Sequence, residues 1–306
     1  MKIVVTSPSF SKTDVLKEEL TRLFPQTVLN VNGIKLQGDR LTEYIGDADG
    51  MIVGLEKLDK NVLQKCSNLK IISKYGVGLD NVDTVYCREN NIEIGWTAGV
   101  NKRSVAEMTL AFMIVLSRNI HSTSRQLKSG TWNKSGGFDL SGKTVGIIGV
   151  GNVGKEIVRL LAPFECTVLV NDIIDQTEYY RANKLIEVSK EYIFRNADIL
   201  TVHAPLTTET THMINGNVLS LMKETAFLIN TARGPIVVQE DLRIALQSNT
   251  IAGAAIDVYD EEPPADRDFL SLPNLICTPH IGGNSYESIL MMGRSAIQHL
   301  KKYFRK

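Results

Sequence analysis

The sequence predicts an α/β fold with two doubly wound parallel sheets, and three observations lead to it. Short apolar runs alternate with amphipathic stretches, and this alternation restarts near Gly142. The chain has 306 residues, which is longer than a domain with a single hydrophobic core usually is. Strands that alternate with helical patterns imply parallel pairing, since two parallel strands need a long crossover between them. We therefore expect two α/β domains in one chain.

Before Gly142 the expected strands are KIVVT, GMIVG and LKIIS, and VLKEELTRLF is typical of an amphipathic helix. Residues 104–120 follow, and they are too densely apolar for a helix with a face in solvent. Ser104 and Glu107 fit a capping box at the start of this segment. We expect a buried helix here that bridges the two domains.

After Gly142 the expected strands lie in KTVGIIG, TVLVN, ADILTVHA, TAFLIN, IAGAAID and NLIC. The last segment, SYESILMMGRSAIQHLKKYF, is typical of a helix, and no strand follows it. We expect this helix to pack back onto the first domain and to make that domain discontinuous. The predicted domains are residues 1–98 with 286–306, and residues 99–285.

The composition argues against several function classes. Lys+Arg and Asp+Glu both number 34, so the chain has no broad positive charge with which to attract nucleic acid or an anionic membrane. No apolar segment approaches the length of a membrane span. The cysteines form no CxxC and have no metal-ligand spacing, so we expect no metal and a reducing, cytoplasmic location. They are Cys66, Cys87, Cys166 and Cys277.

A glycine-rich loop, Gly149-Val150-Gly151-Asn152-Val153-Gly154, follows an apolar strand and precedes a helical pattern. Gly149 permits the tight turn, Gly151 lets the backbone approach a pyrophosphate, and Gly154 lets helix and strand pack closely. The free amides and the dipole of a helix N-terminus favour phosphates at this place. The order of strand, glycine loop and helix therefore predicts a dinucleotide site.

An acidic residue, Asp172, ends the next expected strand. It is placed to accept hydrogen bonds from the hydroxyls of an adenosine ribose. No Arg or Lys follows it in Ile173-Ile174-Asp175-Gln176, and a 2′-phosphate would meet two carboxylates there. The sequence therefore predicts NAD rather than NADP as the cofactor.

Polar segments end three later strands, where doubly wound sheets place their ligands. Periodicity does not single out residues within these segments. The acidic run before Pro263 is, by itself, typical of a solvated loop, and an arginine or a histidine can equally serve in an ion pair or a core. The segments are Thr231–Gly234, Asp257–Pro263 and Thr278–Gly283.

Over essentially its whole length the sequence resembles the D-isomer-specific 2-hydroxyacid dehydrogenases, most closely their phosphoglycerate dehydrogenase branch. The resemblance implies an NAD-binding Rossmann domain, a flavodoxin-like substrate domain and a homodimer. It also implies hydride exchange between NAD and a small 2-hydroxy or 2-oxo acid. The matching segments are KYGVGLDNVD, SVAE, GIIGVGNVG, VHAPLT, INTARG, AGAAIDVYDEEP and TPHIGG, in the family's order.

The resemblance also implies residue roles. Arg233 would bind the substrate carboxylate and carbonyl, His280 would be the general acid and base, and Glu262 would orient His280. These residue types suit the reaction, because arginine offers a bidentate fork for a carboxylate and histidine moves a proton near neutral pH. Asp257 would hold the nicotinamide carboxamide. The implied cofactor residues are Gly149, Gly151, Asn152, Val153, Gly154, Asp172, Ala204, Thr231, Ala232, Asp257 and Gly282.

The loop after the strand LKIIS, residues 74–80, is the expected substrate contact of the first domain. Its glycines expose backbone amides that can grip a carboxylate, and the family uses Val77 and Gly78 in this way. Lys74 is the nearest cation, although a solvated lysine is an equal interpretation. Lys57 and Arg103 are lesser candidates for a phosphate ligand.

The substrate expected first is 3-phosphoglycerate with its oxo acid, 3-phosphohydroxypyruvate. One departure weakens this expectation, because Gly54 stands where phosphoglycerate dehydrogenases often carry an arginine for the phosphate. A glyoxylate or hydroxypyruvate reductase is therefore the alternative within the family. Two further alternatives share the fold: an NAD-sensing, corepressor-like binding protein that is not an enzyme, and a dehydrogenase of an inorganic anion such as phosphite.

Overall fold

All strand pairs in the structure are parallel, as the alternation of strands and helices predicts. The computed structural model describes residues 1–305. They form two compact units: Met1–Asn101 together with the described residues from Gly283 onward, and Lys102–Gly282. The predicted fold class, two doubly wound parallel sheets with a discontinuous first domain, is confirmed.

The strands are β1 (Lys2–Val5), β2 (Gln26–Leu29), β3 (Gly50–Val53), β4 (Ile71–Lys74), β5 (Glu93–Gly95), β6 (Thr144–Ile148), β7 (Thr167–Asn171), β8 (Ile186–Glu187), β9 (Ile199–Val202), β10 (Phe227–Asn230), β11 (Gly253–Ile256) and β12 (Leu275–Cys277). The helices are α1 (Pro8–Lys12), α2 (Asp14–Leu23), α3 (Gly38–Ile45), α4 (Lys60–Leu63), α5 (Thr84–Glu89), α6 (Lys102–Ser117), α7 (Ile120–Lys128), α8 (Asn152–Leu161), α9 (Thr177–Ala182), α10 (Lys190–Asn196), α11 (Gly216–Leu221), α12 (Gln239–Gln247), α13 (Arg267–Leu270) and α14 (Tyr286–Phe304).

The first unit has a five-stranded sheet in the order β2-β1-β3-β4-β5. Successive residues of a strand face opposite sides of a sheet, so Ile3 and Val4 enter different apolar clusters, one on each face. Helix α14 covers one of these faces and lies against α2, where a Cβ at Gly293 would overlap the side chain of Leu16. The last helix therefore completes the core of the first unit.

The second unit has a seven-stranded sheet in the order β12-β11-β10-β9-β6-β7-β8. Its two faces are likewise covered by two apolar clusters, and Leu228 and Ile229 of β10 enter different ones. Helix α6 packs on one face beside α8. Its burial agrees with the dense apolar pattern of its sequence.

The predicted capping box at Ser104 is wrong. Helix α6 begins two residues earlier, at Lys102, so Ser104 lies within the helix. Its hydroxyl donates to the backbone oxygen of Gly282, 2.7 Å away. Glu107 instead forms an ion pair with Arg103 on the helix surface. A tertiary contact far along the chain has replaced the local cap that the sequence pattern suggested.

Three strands, β2, β5 and β8, were not expected from the sequence. Each lies at an edge of its sheet. Strands β2 and β5 are partly exposed, and both residues of β8 are exposed. An edge strand needs fewer apolar residues than a central one. These three strands contain the polar residues Gln26, Glu93 and Glu187, so they do not form the apolar runs from which strands were predicted. Within residues 1–305, no helix combines the length and apolar content required to cross a membrane.

Candidate active site

The predicted site residues of the second unit follow the carboxyl ends of its strands. The sheet order places β6 beside β9, with β7 and β8 on one side and β10 to β12 on the other. The topological switch point is therefore between β6 and β9, where doubly wound sheets bind ligands. Asp172 lies on the β7 side. Arg233, Glu262 and His280 lie on the other side, after β10, β11 and β12.

The glycine loop after β6 has the conformation that the sequence predicts. Gly149 has a φ of 91°, and a Cβ there would lie 2.7 Å from the backbone nitrogen of Ala204, so any other residue is excluded. A Cβ at Gly154 would overlap the backbone oxygen of Gly149. At Gly151 a Cβ would meet nothing within 4 Å, so this face of the loop is open to a ligand.

Helix α8 starts directly after Gly151, and the structure shows no side-chain cap on its first turn. The amides of the predicted cofactor residues Asn152 and Val153 therefore lie in the first turn of a helix, where they and the dipole favour an anion. An open glycine followed by an uncapped helix N-terminus fits the pyrophosphate of NAD.

Asp172 is fixed beside this loop. One carboxylate oxygen accepts a hydrogen bond from the amide of Val150 at 2.6 Å, and the other accepts from Ile174 at 3.0 Å. A carboxylate has about four lone-pair sites, so both oxygens can still accept from the hydroxyls of a ribose. The side chains of Ile173 and Ile174 are exposed next to it. The ribose role of Asp172 remains a prediction that this geometry supports.

Replacement of Asp172 by alanine is expected to weaken NADH binding about 10- to 100-fold, because it removes charged hydrogen bonds to the ribose and to the loop amide. A fluorescence titration with NADH measures the change. Asp175→Ala is the matched control, since that nearby carboxylate is exposed and accepts its hydrogen bonds from Thr177. Equal NADH affinity in Asp172→Ala and wild type would show that the ribose binds elsewhere.

Arg233 lies in a turn that hydrogen bonds of the Asn230 side chain stabilise. The Asn230 side chain is 1% exposed; it donates to the backbone oxygen of Arg233 at 2.8 Å and accepts from the amide of Ala232 at 3.0 Å. Gly234 follows, and a Cβ there would overlap the backbone of Tyr259. The turn after β10 therefore lies directly against the segment after β11. Sequence reasoning did not identify Asn230.

Glu262 and His280 form the charged pair that the family resemblance implies. Oε2 of Glu262 lies 2.7 Å from Nδ1 of His280, and each side chain is 30% exposed. Oε1 of Glu262 accepts from the amide of Tyr259 at 3.2 Å. The peptide bond between Glu262 and Pro263 is cis. The carboxylate of Glu262 can therefore hold the imidazole of His280 in one orientation.

The backbone of His280 is unusual. Its φ is 53°, in the left-handed region that most side chains avoid. The loop is held in this form by Asp257, which accepts hydrogen bonds from the hydroxyl of Thr278 and from the amides of Ile281 and Gly282, the last two at 2.9 and 2.7 Å. A left-handed residue in a loop that several hydrogen bonds hold in place is typical of functional sites.

Asp257 is 1% exposed, and its contacts show a structural task that sequence reasoning missed. Its carboxylate ties the end of β11 to the loop after β12, which includes Gly282. The predicted contact of Asp257 with the nicotinamide carboxamide stays a prediction. The hydroxyl of Tyr259 adds a second tie by donating to the backbone oxygen of Thr278 at 2.9 Å.

The pKa of Glu262 reflects opposing influences. Burial raises it, but the hydrogen bond and charge of His280, the amide of Tyr259 and the charge of Arg233 together hold the pKa below its ordinary 4.5. Glu262 therefore stays ionised to lower pH in the folded chain than in the unfolded one. Arg233 therefore contributes to the electrostatic environment of this carboxylate.

Glu262→Gln is expected to remove a pH-dependent part of the stability. A carboxyl group whose pKa is depressed in the folded state stabilises fully above its unfolded pKa, and this stabilisation is lost as the pH falls through the folded-state value. The wild type's advantage in free energy of unfolding should therefore decline as the pH falls below 4.5. Urea unfolding at a series of pH values measures this, with the exposed neighbour variant Glu261→Gln as control. A difference that does not change with pH would contradict the coupling.

The remaining cofactor candidates lie at neighbouring strand ends. Ala204 follows β9 against the glycine loop, and the hydroxyl of Thr231 lies 3.1 Å from that of Thr109 on α6. Burial lowers the pKa of His203 to about 3, so this histidine is neutral; its Nε2 lies 2.8 Å from the hydroxyl of Thr201.

In the first unit, the predicted substrate loop follows β4. Gly76 has a φ of 137°, so the turn requires glycine, and the indole of Trp96 donates to the backbone oxygen of Val77 at 2.6 Å. Val77 and Gly78 are half-buried. Lys74 is 4% exposed, and its ammonium group donates to the backbone oxygen of Gly54 and to the side chain of Asn81. The solvated-lysine interpretation of Lys74 is therefore wrong.

No group of three or more His, Cys, Asp or Glu side chains able to hold a metal ion occurs in the described part of the chain. The four cysteines are free thiols, and burial raises the pKa of Cys66, Cys87, Cys166 and Cys277.

The chain is similar in sequence and fold to known proteins. The model of the family "D-isomer specific 2-hydroxyacid dehydrogenase, NAD binding domain" matches residues 110–282. The chain is 33% identical over 310 residues to D-3-phosphoglycerate dehydrogenase of Methanocaldococcus jannaschii, a match that covers 100% of this chain and 58% of that protein. It is 33% identical over 301 residues to hydroxypyruvate reductase of Thermotoga maritima, which covers 94% of this chain and 96% of the relative.

Among solved structures, the NAD-dependent formate dehydrogenase of Staphylococcus aureus in complex with NAD superimposes with a TM-score of 0.86 at 30% identity, covering 99% of this chain and 96% of that one. The glycine loop and these similarities define an NAD-dependent oxidoreductase. The chain belongs to the D-isomer-specific 2-hydroxyacid dehydrogenase family, which confirms the resemblance noted in the sequence.

Proposed function

We propose that this protein reduces a small 2-oxo acid to the corresponding 2-hydroxy acid with NADH, and catalyses the reverse reaction with NAD. The observation that carries the proposal is the hydrogen bond between Nδ1 of His280 and Oε2 of Glu262, on a segment that packs against the turn of Arg233. An acid, its orienting carboxylate and a carboxylate-binding cation thus lie together at neighbouring strand ends.

Each catalytic group of the chain has a separate task in this reaction. NADH, when bound at the glycine loop, supplies the hydride to the carbonyl carbon. Arg233 binds the carboxylate of the substrate through its planar fork, and Nε2 of His280 gives a proton to the carbonyl oxygen, which becomes the hydroxyl. Glu262 stabilises the imidazolium before that transfer and fixes the ring orientation. Val77 and Gly78 are the proposed substrate contacts of the first unit.

The identity of the acid is the finer part of the proposal. The sequence favours 3-phosphohydroxypyruvate, and the relatives are named for phosphoglycerate and for hydroxypyruvate. The deciding experiment follows the absorbance of NADH while the purified protein is offered 3-phosphohydroxypyruvate, hydroxypyruvate, glyoxylate and pyruvate. Turnover of at least one acid, with formation of the D-hydroxy acid, is the expected result. Tight NADH binding without any turnover would support the NAD-sensing alternative instead.

We further propose that two copies pair through the second unit, in the reducing cytoplasm that the free thiols suit. Helix α7 has no buried residue, and its Leu127 is exposed. The segment after α7 carries the exposed apolar side chains of Trp132 and Phe138, of which Trp132 is 78% exposed. Several exposed large apolar side chains in one segment are typical of an interface. The mass of the protein in solution measures the pairing.

A further inference from the structure

A carboxylate lies at the switch point of the first unit. In the order β2-β1-β3-β4-β5, the chain turns to β2 on one side of β1 and to β3 on the other, so the crevice between β1 and β3 is the place where such a sheet binds a ligand. Thr6 follows β1, and Gly54 and Glu56 follow β3. The predicted substrate loop begins at the end of the next strand, β4.

Glu56 already uses the donors of this crevice. Its Oε2 accepts from the hydroxyl of Thr6 at 2.8 Å and from the amide of Gly54 at 2.9 Å, and so it bridges the two strand ends. The side chain of Thr6 is fully buried. A hydroxyl and a backbone amide are the groups with which a strand end binds a phosphate. Here they hold a carboxylate of the protein itself.

The nearby cations are engaged as well. The ammonium group of Lys74 donates to the backbone oxygen of Gly54 and, at 2.6 Å, to the side chain of Asn81. Asn81 also donates to the backbone oxygen of Glu56 at 2.7 Å, so the lysine belongs to the framework that holds this turn. Lys57 has a largely exposed side chain 4.0 Å from Asp59. Both ammonium groups thus have acceptors within the protein itself.

The packing around Gly54 leaves little room for a further cation. A Cβ at Gly54 would lie 3.2 Å from the Cβ of Ser7 and 3.4 Å from Oε2 of Glu56. Ser7 is buried, and its hydroxyl caps α1. A long basic side chain at this position would therefore have to displace both neighbours.

We infer that Glu56 sets the substrate selectivity: it accepts a hydrogen bond from an uncharged hydroxyl on the substrate's side chain and repels a phosphate ester. This inference rests on the proposed function and names the substrate class, a 2-oxo acid of the hydroxypyruvate kind rather than its 3-phosphate. A carboxylate accepts strongly from a hydroxyl, whereas two like charges in a partly buried crevice disfavour each other.

Binding to the NADH-loaded protein tests the inference without requiring turnover. Calorimetry should show that D-glycerate binds about 10- to 100-fold more tightly than 3-phosphoglycerate. Glu56→Gln keeps an oxygen for Thr6 and Gly54 but removes the charge, so it should improve the relative affinity for 3-phosphoglycerate about 10-fold or more. Glu43→Gln, which removes an exposed charge from the same unit, should leave the ratio at the wild-type value.

Kinetics supply a second readout. In Glu56→Gln, the KM for 3-phosphohydroxypyruvate should fall relative to the KM for hydroxypyruvate, about 10-fold or more, whereas Glu43→Gln should keep the wild-type ratio of the two KM values. Tighter binding of 3-phosphoglycerate than of glycerate by the wild type would overturn the inference, as would undetectable glycerate binding or an unchanged ratio in Glu56→Gln. The wild-type comparison holds even if the variant is unstable.

The two proposals fail separately. If no oxo acid is reduced but glycerate still binds in preference to 3-phosphoglycerate, the proposed function is wrong and the role of Glu56 stands. If glyoxylate is reduced but the phosphorylated acids are preferred, the proposed function stands and the role of Glu56 is wrong.

Discussion

His280→Ala is expected to reduce turnover about 10²–10⁴-fold while leaving NADH affinity at the wild-type value. The range is that of a general acid and base positioned at the reacting group. NADH affinity should persist because the glycine loop and Asp172 are at other strand ends, after β6 and β7. Steady-state kinetics with the best oxo acid and a fluorescence titration with NADH measure the two quantities.

A second variant at the same position separates chemistry from backbone conformation. His280 has a left-handed backbone, which alanine adopts poorly and asparagine tolerates. His280→Asn should therefore keep the loop in place and show the same loss of turnover. His121→Ala, on the surface helix α7, is the control and should be fully active. Normal turnover in His280→Asn would remove His280 from the proposed role.

The glycine loop shows what the sequence alone can predict. Gly149 and Gly154 are required by steric conflicts within one strand, turn and helix, all close together along the chain. Such local geometry leaves a pattern of residue types at fixed spacing. Central strands are predictable for a related reason, because burial on both faces demands a continuous apolar run. These features were expected from the sequence, and the structure contains them.

Contacts between residues that are far apart along the chain leave no such pattern in the sequence. Asn230 resembles any polar residue at a strand end until its two bonds to the Arg233 turn are known. The hydroxyl of Ser104 bonds the backbone of Gly282, which is 178 residues away, so a local motif gave a wrong cap. Asp257 is similar: the resemblance implied a ligand contact, but nothing in the spacing showed that its carboxylate holds the loop of His280.

The environment of the charged side chains is the property that could be predicted least well from the sequence. Lys74 stood near the expected substrate loop, and a residue count cannot tell whether its ammonium group serves a ligand or the fold. In the structure that group is buried and bonded to Gly54 and Asn81. Glu56 attracted no attention in the sequence, since a single glutamate in a loop is usually solvated. In the structure its carboxylate bridges the ends of β1 and β3.

Arg233→Gln is expected to lower kcat/KM for the oxo acid about 10²–10³-fold, because it removes a bidentate, charged hydrogen-bonding group from the substrate carboxylate. Much of the loss should appear in KM, since the carboxylate is bound in both the ground state and the transition state. Arg233→Lys should recover only part of it, because an ammonium group is a point charge without the planar fork. Steady-state kinetics of the three proteins measure these values.

The pair of variants also distinguishes substrate binding from support of Glu262. The charge of Arg233 contributes to the lowered pKa of Glu262. Lysine keeps a positive charge and glutamine does not, so a purely supporting role predicts that Arg233→Lys behaves like wild type. A carboxylate-binding role predicts a raised KM in both variants. Arg195→Gln, which removes an exposed arginine from the surface of α10, should change neither parameter. Wild-type KM in Arg233→Gln would show that the substrate carboxylate binds to another group.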